Sequence, residues 1–507
     1  MKIKIYKFPL LALAVLVTIL SCSEDYLEVK PKGTFLTENY YSNQDEAFGG
    51  LVAAYDYMRK NSAGFDNMVT MMNAGSDDFY AGGGSPTDGQ GMQNFSNYKL
   101  NAIEMPISFW RDQYRGVYRA NLMIQKLPEI PMDDVLKARY MAESKALRGY
   151  YHFQLVRWFK NVPMFTEPVS PSETYNVVQA TPEETYAQIE KDLLEAIPGL
   201  PATLPSQEFG RLTKGAAQAI LGKVYLEQGK NPQAAAQFAE VNGTPGQTNQ
   251  YGNKLLENFD DLWDIDNKFN SESILEISHS EKSLSSWGNN DEEHYSDSNE
   301  GNMICQMVGP RTFVDLVDTD DIPAYNSGWS FNPILPGLYD LMKNDPRFEA
   351  TILDLKTLEA EKKVSYFKGY LDTGYFLKKY AALVSEQRTG GGAVELNFRQ
   401  NSYVIRLADT YLLEAEALGG SGARAQALLD AVRERVGLPS VPVSMNAILN
   451  ERRIELAGEG HRWFDLRRNG LLATNLADRG FIAGTHEIFP IPFKELENTK
   501  LVQNPNY

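Results

Sequence analysis

Two cysteines, five histidines and the lack of any long apolar run set the first limits on this 507-residue chain. With only Cys22 and Cys305 available, no disulfide framework holds the fold, and stability has to come from a core. The uncharged stretch Phe8 to Leu20 has 13 residues, too few to cross a bilayer as a helix. No zinc-binding cysteine cluster, phosphate-binding P-loop, HExxH pair or GxSxG elbow occurs, which removes familiar signatures of metal, nucleotide and serine-hydrolase chemistry. An excess of positive charge is also missing. Lys and Arg number 49 against 66 Asp and Glu, and the resulting net charge of −17 repels nucleic acid and anionic lipid.

What is present begins with an address. Lys2, Lys4 and Lys7 precede the apolar run, and Ile19-Leu20-Ser21-Cys22 follows it. This order reads as an export signal over residues 1–21 and resembles the lipobox of bacterial lipoproteins, in which cleavage precedes the cysteine and that cysteine receives lipid. Lipidation at Cys22 would anchor the chain to a membrane without a spanning helix. Setting aside residues 1–21, with three lysines and no acids, leaves a mature charge of −20. Ser23, Glu24 and Asp25 then form a short acidic tract similar to the surface-export signal of Bacteroidetes lipoproteins; a solvated linker is the plainer reading.

The mature chain is expected to be mainly α. Ala138 to Pro163 predicts a long scaffold helix in which Leu147, Tyr150, Tyr151, Leu155, Trp158 and Phe159 share a core-facing stripe. Glu143, Lys145, Arg148 and Arg157 are expected on a water-facing side. A first helix is expected over 45–60, with Phe48, Leu51, Val52, Tyr55 and Met58 on its apolar side, and another over 107–127. Thr181-Pro182-Glu183-Glu184 is a helix start, with Thr181 as N-cap. Leu221, Gly222, Tyr225, Ala234 and Phe238 match the spacing of a tetratricopeptide hairpin, and a second pair is expected over 403–418 and 422–436. The scaffold thus comprises about 45–60, 107–160, 182–240 and 403–470. Between its parts lies a loop-rich insert over 243–399, with one strand expected at Ser273 to Ser278. No linker splits residues 22–507, which read as a single domain.

Ligand candidates come from places where helical packing does not account for the residues. The segment from Asn73 to Gln93 has five glycines between Ala81 and Gly91, and Asp77, Asp78 and Tyr80 stand at its start. Carboxylates accept bonds from sugar hydroxyls while a ring stacks on the sugar's C–H face. In the insert, Trp287, Tyr295, Tyr325 and Trp329 lie outside any apolar stripe and form a second candidate surface. Asp318, Asp320 and Asp321 are either a calcium loop or a solvated one.

RGYYHFQLVRWFKNVP, GRLTKGAAQAILGKVYL, DPRFEATIL, YVIRLADTYLLEAEAL, ERRIELAGEGHRWFDLRRNG, FPIP and the terminal QNPNY, in this order behind Cys22, resemble the SusD/RagB family of Bacteroidetes outer-membrane nutrient-binding lipoproteins. The resemblance implies about four tetratricopeptide-like helical hairpins under an irregular, loop-rich half with few short strands. It also implies a partner, a SusC-like TonB-dependent transporter, and a ligand that is an oligosaccharide or polysaccharide or, in one branch, a peptide. A helical-repeat adaptor that binds only protein is the reading from another class. Catalysis is not expected. Glu451, Glu455, Glu459, His461 and Asp465 are rich in acid, but Glu455 and Glu459 alternate with Arg452, Arg453 and Arg462, which favours ion pairing between helices. No cofactor or resident metal is called for.

Overall fold

The computed structural model of the chain describes residues 40–283, 286, 300–317 and 322–507. The expected signal, Cys22, Trp287, Tyr295, Asp318, Asp320 and Asp321 lie outside the described residues. The chain is mainly α-helical with few short strands, as its patterning predicts.

The scaffold starts with α1, Gln44–Tyr55, capped by the Asn43 side chain, which accepts the Glu46 N–H at 3.0 Å. A 3₁₀ segment, Asp56–Asn61, and the short helix α2, Met68–Ala74, follow. The long antiparallel pair α3, Ser108–Lys126, and α4, Asp134–Phe159, comes next. Helix α5, Pro182–Ala196, packs on α4, and α6, Lys214–Glu227, forms a hairpin with α7, Asn231–Asn242. After the insert, α8, Leu407–Ala417, docks on α7 and pairs with α9, Gly422–Arg435, while α10, Met445–Glu455, and α11, Arg462–Arg468, close the scaffold. One apolar cluster takes in residues from Tyr41 to Ile491.

Local chemistry explains these elements. Thr181 Oγ1 accepts the Glu184 N–H at 3.2 Å and Glu184 Oε2 accepts the Thr181 N–H at 2.9 Å, a reciprocal cap on α5. At the α6–α7 crossing a Cβ on Gly222 would stand 2.6 Å from the Phe238 ring, so only glycine lets the two helices approach this closely. The same device recurs where α3 meets α4: a Cβ on Gly116 would stand 2.5 Å from the Tyr151 ring.

Three expectations need correction. Most of the polar side of α4 does not face water: Lys145 reaches the surface and pairs with Glu195, but Glu143 is fully buried and accepts from Tyr55, Arg139 and Arg211, while Arg148 is buried and donates to Asp192 at 2.6 and 2.8 Å. Arg157 stacks at 3.7 Å on the Phe464 ring. Helices pack around α4 on several sides, so its charges are neutralised by partners rather than hydrated. Phe48 and Val52 of α1 point outward. The helix expected from Tyr403 begins instead at Leu407, because residues 402–406, with β-branched Val404 and Ile405, form a strand.

That strand, β6, Ser402–Arg406, pairs antiparallel with β1, Ser273–Ile277, through Glu276 opposite Tyr403 and Ile277 opposite Ser402. It carries the insert onto the scaffold. Two further ribbons complete the insert: β2, Arg311–Asp315, with β4, Val364–Phe367, and β3, Ile352–Asp354, with β5, Tyr375–Leu377.

A buried ion network fixes insert to scaffold. Arg406 reaches Glu455 at 2.6 Å, Glu272 at 2.8 Å and Glu459 at 2.9 Å; Arg347 reaches Glu451 at 2.7 Å, and Glu455 and Asp345 at 2.8 Å. Lys379 pairs with Glu459, Arg433 with Glu451, and Arg435 with Glu272 and Glu455. Five cations therefore meet five carboxylates in a nearly water-free space. Burial works to lift the Glu455 carboxyl, yet Arg435, Arg406 and Arg347 together hold it well below the ordinary carboxylate range. Glu455 and Glu459 thus pair between elements, as their setting predicts, but with Arg406, Arg347, Arg435 and Lys379 rather than with their sequence neighbours.

Two predictions follow from this interior. Replacing Arg406 with Met takes one shared cation from three buried carboxylates and leaves the network with excess negative charge, and the denaturant midpoint should fall by the equivalent of about 3–5 kcal/mol; an unchanged midpoint would contradict the network's role. Burial pushes His152 down to about 3 and His279 down to about 4. Folding therefore excludes protons that the unfolded histidines, with pKa about 6.5, take up. Their contribution is complete above pH 6.5 and is lost as the pH falls toward 4, at about 1.4 kcal/mol per pH unit for each histidine. Urea unfolding between pH 7.5 and 4.5 reads this slope, and equal stability at both ends would refute it.

Candidate functional site

The site is built where the glycine-rich segment crosses the insert. Helix α2 is capped by Asn67, whose side chain accepts the Thr70 N–H at 3.0 Å, and all of its residues are buried. The chain then turns through Ser76 into the acid pair. Asp77 accepts both Arg462 Nε and Nη2 at 2.8 Å and Asn475 Nδ2 at 2.7 Å. Asp78, 1% exposed, accepts Arg453 Nε at 2.7 Å. Burial raises the Asp77 carboxyl, but Arg462 and Arg453 outweigh it and bring it down to about 2. In Asp78 burial prevails over Arg453, and the pKa is raised.

The sequence reading of Asp77 and Asp78 as hydroxyl acceptors at a surface is thus corrected. Two adjacent carboxylates in a dry setting require two guanidinium groups, and this pair ties the segment to α10 and α11. Tyr80 remains half-buried, with the Arg479 guanidinium 5.5 Å from its ring centre. Tyr325 is also corrected: it is 5% exposed, meets Phe313 edge-on at 5.7 Å, and belongs to a small apolar cluster inside the insert.

Beyond Tyr80 the segment lies along residues 330–333. Asn332 N–H donates to the Ala81 carbonyl at 2.9 Å, Gly83 N–H to the Ser330 carbonyl at 2.8 Å, and Tyr370 N–H to the Gly83 carbonyl at 2.8 Å. Gly82 has φ +74°, and a Cβ there would meet Ser330 O and Pro333 Cδ at 2.4 Å, so this contact requires glycine. Asp88 accepts the Gly84 N–H at 2.7 Å and Arg311 Nη2 at 2.8 Å, and Arg311 Nε donates to the Trp329 carbonyl at 3.0 Å. The structure therefore brings Trp329 to the glycine-rich segment. Its half-buried ring packs against Phe65 at 6.1 Å, and Phe65 meets Phe331 edge-on at 5.2 Å.

Phe65 is also a wall of an open cleft of 580 Å³, with Asp66, Gly89, Gln90, Glu104, Arg111 and Phe493 among its lining. Lys60, buried in the cleft, donates to Ser108 Oγ at 2.6 Å and lies 3.8 Å from Asp112. Rings and mixed charges in an open cleft suit a ligand with apolar faces and many hydroxyls. Among the described residues, no group of three or more His, Cys, Asp or Glu gathers as a metal site.

Of the sequence candidates among the described residues, the structure places half-buried Tyr80 at the start of the glycine-rich segment and half-buried Trp329 beside it. Phe65, Asp88 and Arg311 escaped sequence reasoning. Phe65 sits alone between helices, and Arg311 and Asp88 meet only through tertiary folding. The glycines from Gly82 to Gly91 were the usable signal.

Two family models together span most of the chain: one described as the SusD family matches residues 271–507, and one described as starch-binding associating with outer membrane matches residues 25–226. A SusD-like protein of Formosa agariphila is 26% identical over 531 residues, covering 94% of this chain and 95% of its own. Among solved structures, a laminarin-binding SusD-like protein superposes with a TM-score of 0.90 at 59% identity, covering 92% of this chain and all of that one. Surface glycan-binding protein A from Bacteroides thetaiotaomicron, solved in complex with laminarihexaose, gives a TM-score of 0.80 at 26% identity, covering 91% of this chain and 99% of its own. Near-complete coverage at 59% identity, on the same helical fold, makes this chain a member of the SusD family.

Proposed function

We propose that this protein is a cell-surface glycan-binding lipoprotein that captures a neutral β-glucan of the laminarin kind and delivers it to a SusC-like TonB-dependent transporter. The 59% identity to a laminarin-binding SusD-like protein, sustained over that protein's whole length, carries the reading. The site described above supports it chemically. Trp329 and Phe65 offer rings for sugar C–H faces, while Arg311 and Asp88, each about one-third exposed, offer hydrogen bonds to hydroxyls.

Capture is non-catalytic in this reading. Glu455, Glu459 and Asp465 lie in buried ion pairs, which leaves them unsuited to the acid and nucleophile roles of a glycosidase. Anchorage through lipid on Cys22 and an outward orientation rest on the lipobox-like Leu20-Ser21-Cys22 and the acidic residues behind it. An open cleft that orders a flexible sugar chain gives an affinity on the order of micromolar.

Isothermal titration of the chain beginning at residue 23 with laminarin, starch and a galactomannan, with released reducing sugar assayed alongside, tests the reading. Laminarin should bind without hydrolysis, and Trp329→Ala should weaken it about tenfold, on the order of 1.4 kcal/mol. Binding of none of the three, or hydrolysis by the pure protein, would overturn it.

A further inference from the structure

Helix α3 carries Arg111, Tyr114, Arg115, Tyr118 and Arg119 at steps of three and four, so these side chains share one face. Partly buried Tyr114 and exposed Tyr118 are not consumed by the core: Tyr118 is 39% exposed. Opposite them stand Phe165 and Tyr175, the latter 53% exposed. Together they line a groove of 590 Å³ that continues into a smaller recess of 400 Å³ at Asn121 and Val169. Tyr114 is held in place by donating its hydroxyl to the Pro163 carbonyl at 2.8 Å, and Phe165 meets its ring edge-on at 5.5 Å.

This groove is not separate from the site. It shares Arg111 and Lys494 with the 580 Å³ cleft, and that cleft shares Phe65 with the Trp329 patch. The hollows therefore follow one another along α3, whose 19 residues span about 28 Å. Five cationic and five acidic side chains line the cleft and groove, a balanced lining on a chain of net charge −17. An anionic ligand would call for a cationic excess, whereas a neutral polyhydroxylated chain uses donors and acceptors in equal measure and stacks on rings.

The geometry points to one extended track for a polysaccharide, running from Trp329 and Phe65 through the cleft to a second aromatic binding place at Tyr118, Phe165 and Tyr175. This rests on the glucan-capture reading and extends it: a short oligosaccharide occupies the Trp329 end alone, and a polymer engages both ends of the same molecule. Linking the two contacts raises affinity for long chains without altering affinity for short ones.

The chain beginning at residue 23, its Trp329→Ala variant and a Tyr118→Ala/Tyr175→Ala variant are titrated with laminarihexaose and with laminarin. Both tyrosines are exposed, and unchanged melting temperatures show that the fold persists. The double tyrosine variant should bind laminarihexaose within twofold of the parent and laminarin at least fivefold more weakly, while Trp329→Ala weakens both ligands. If the double variant binds laminarin as tightly as the parent does, the track is refuted and glucan capture stands. If the double variant loses the hexasaccharide while Trp329→Ala keeps it, the two-ended arrangement is refuted. A parent that binds neither glucan refutes capture and track together.

Discussion

Arg406 sends one guanidinium to three carboxylates, from Glu272, Glu455 and Glu459, in a space almost without water. Glu272 belongs to the insert; Glu455 and Glu459 belong to the scaffold's closing segment. Ion pairs of this kind add little net stability, because desolvation offsets most of their attraction. Their consequence is geometric. Any docking of insert on scaffold other than the observed one leaves buried charge without a partner, so the network admits a single arrangement. Arg347 and Lys379 extend the constraint to the 345–379 part of the insert, and Asp77 and Asp78 apply it to the start of the glycine-rich segment through Arg462 and Arg453. The candidate patch around Trp329 is thus held on irregular chain that has little regular secondary structure to position it.

The helical scaffold was legible because its information is local. Thr181 with Glu184, Gly222 with Phe238, and the apolar stripe of α4 each announce themselves within a few turns of helix. Charges misled wherever their partners lie far away in sequence. Glu143 looks like a solvated residue until Tyr55 and Arg211 arrive to bury it, and Asp78 looks like a loop acid until Arg453, 375 residues later, takes it up. Residues 403–406 read as the first turn of a helix because their strand partner, β1, lies more than a hundred residues earlier.

The candidate site was legible by region more than by residue. Of the insert's candidate aromatics among the described residues, Trp329 meets the glycine-rich segment while Tyr325 enters a small core beside it. No local signal separates two aromatics four positions apart in irregular chain. The face of α3 shows the converse: Tyr114 and Tyr118 lie at the spacing of a core stripe, yet both line an open groove. Periodicity identifies a face, and tertiary packing decides whether the face is filled.

The central claim is that a neutral glucan is held at the Trp329 patch on the glycine-rich segment. A crystal structure of the protein with laminarihexaose tests it most directly. The account predicts sugar rings against Trp329, with hydroxyls toward Arg311 and Asp88. A hexasaccharide bound elsewhere, with this patch empty, would contradict it.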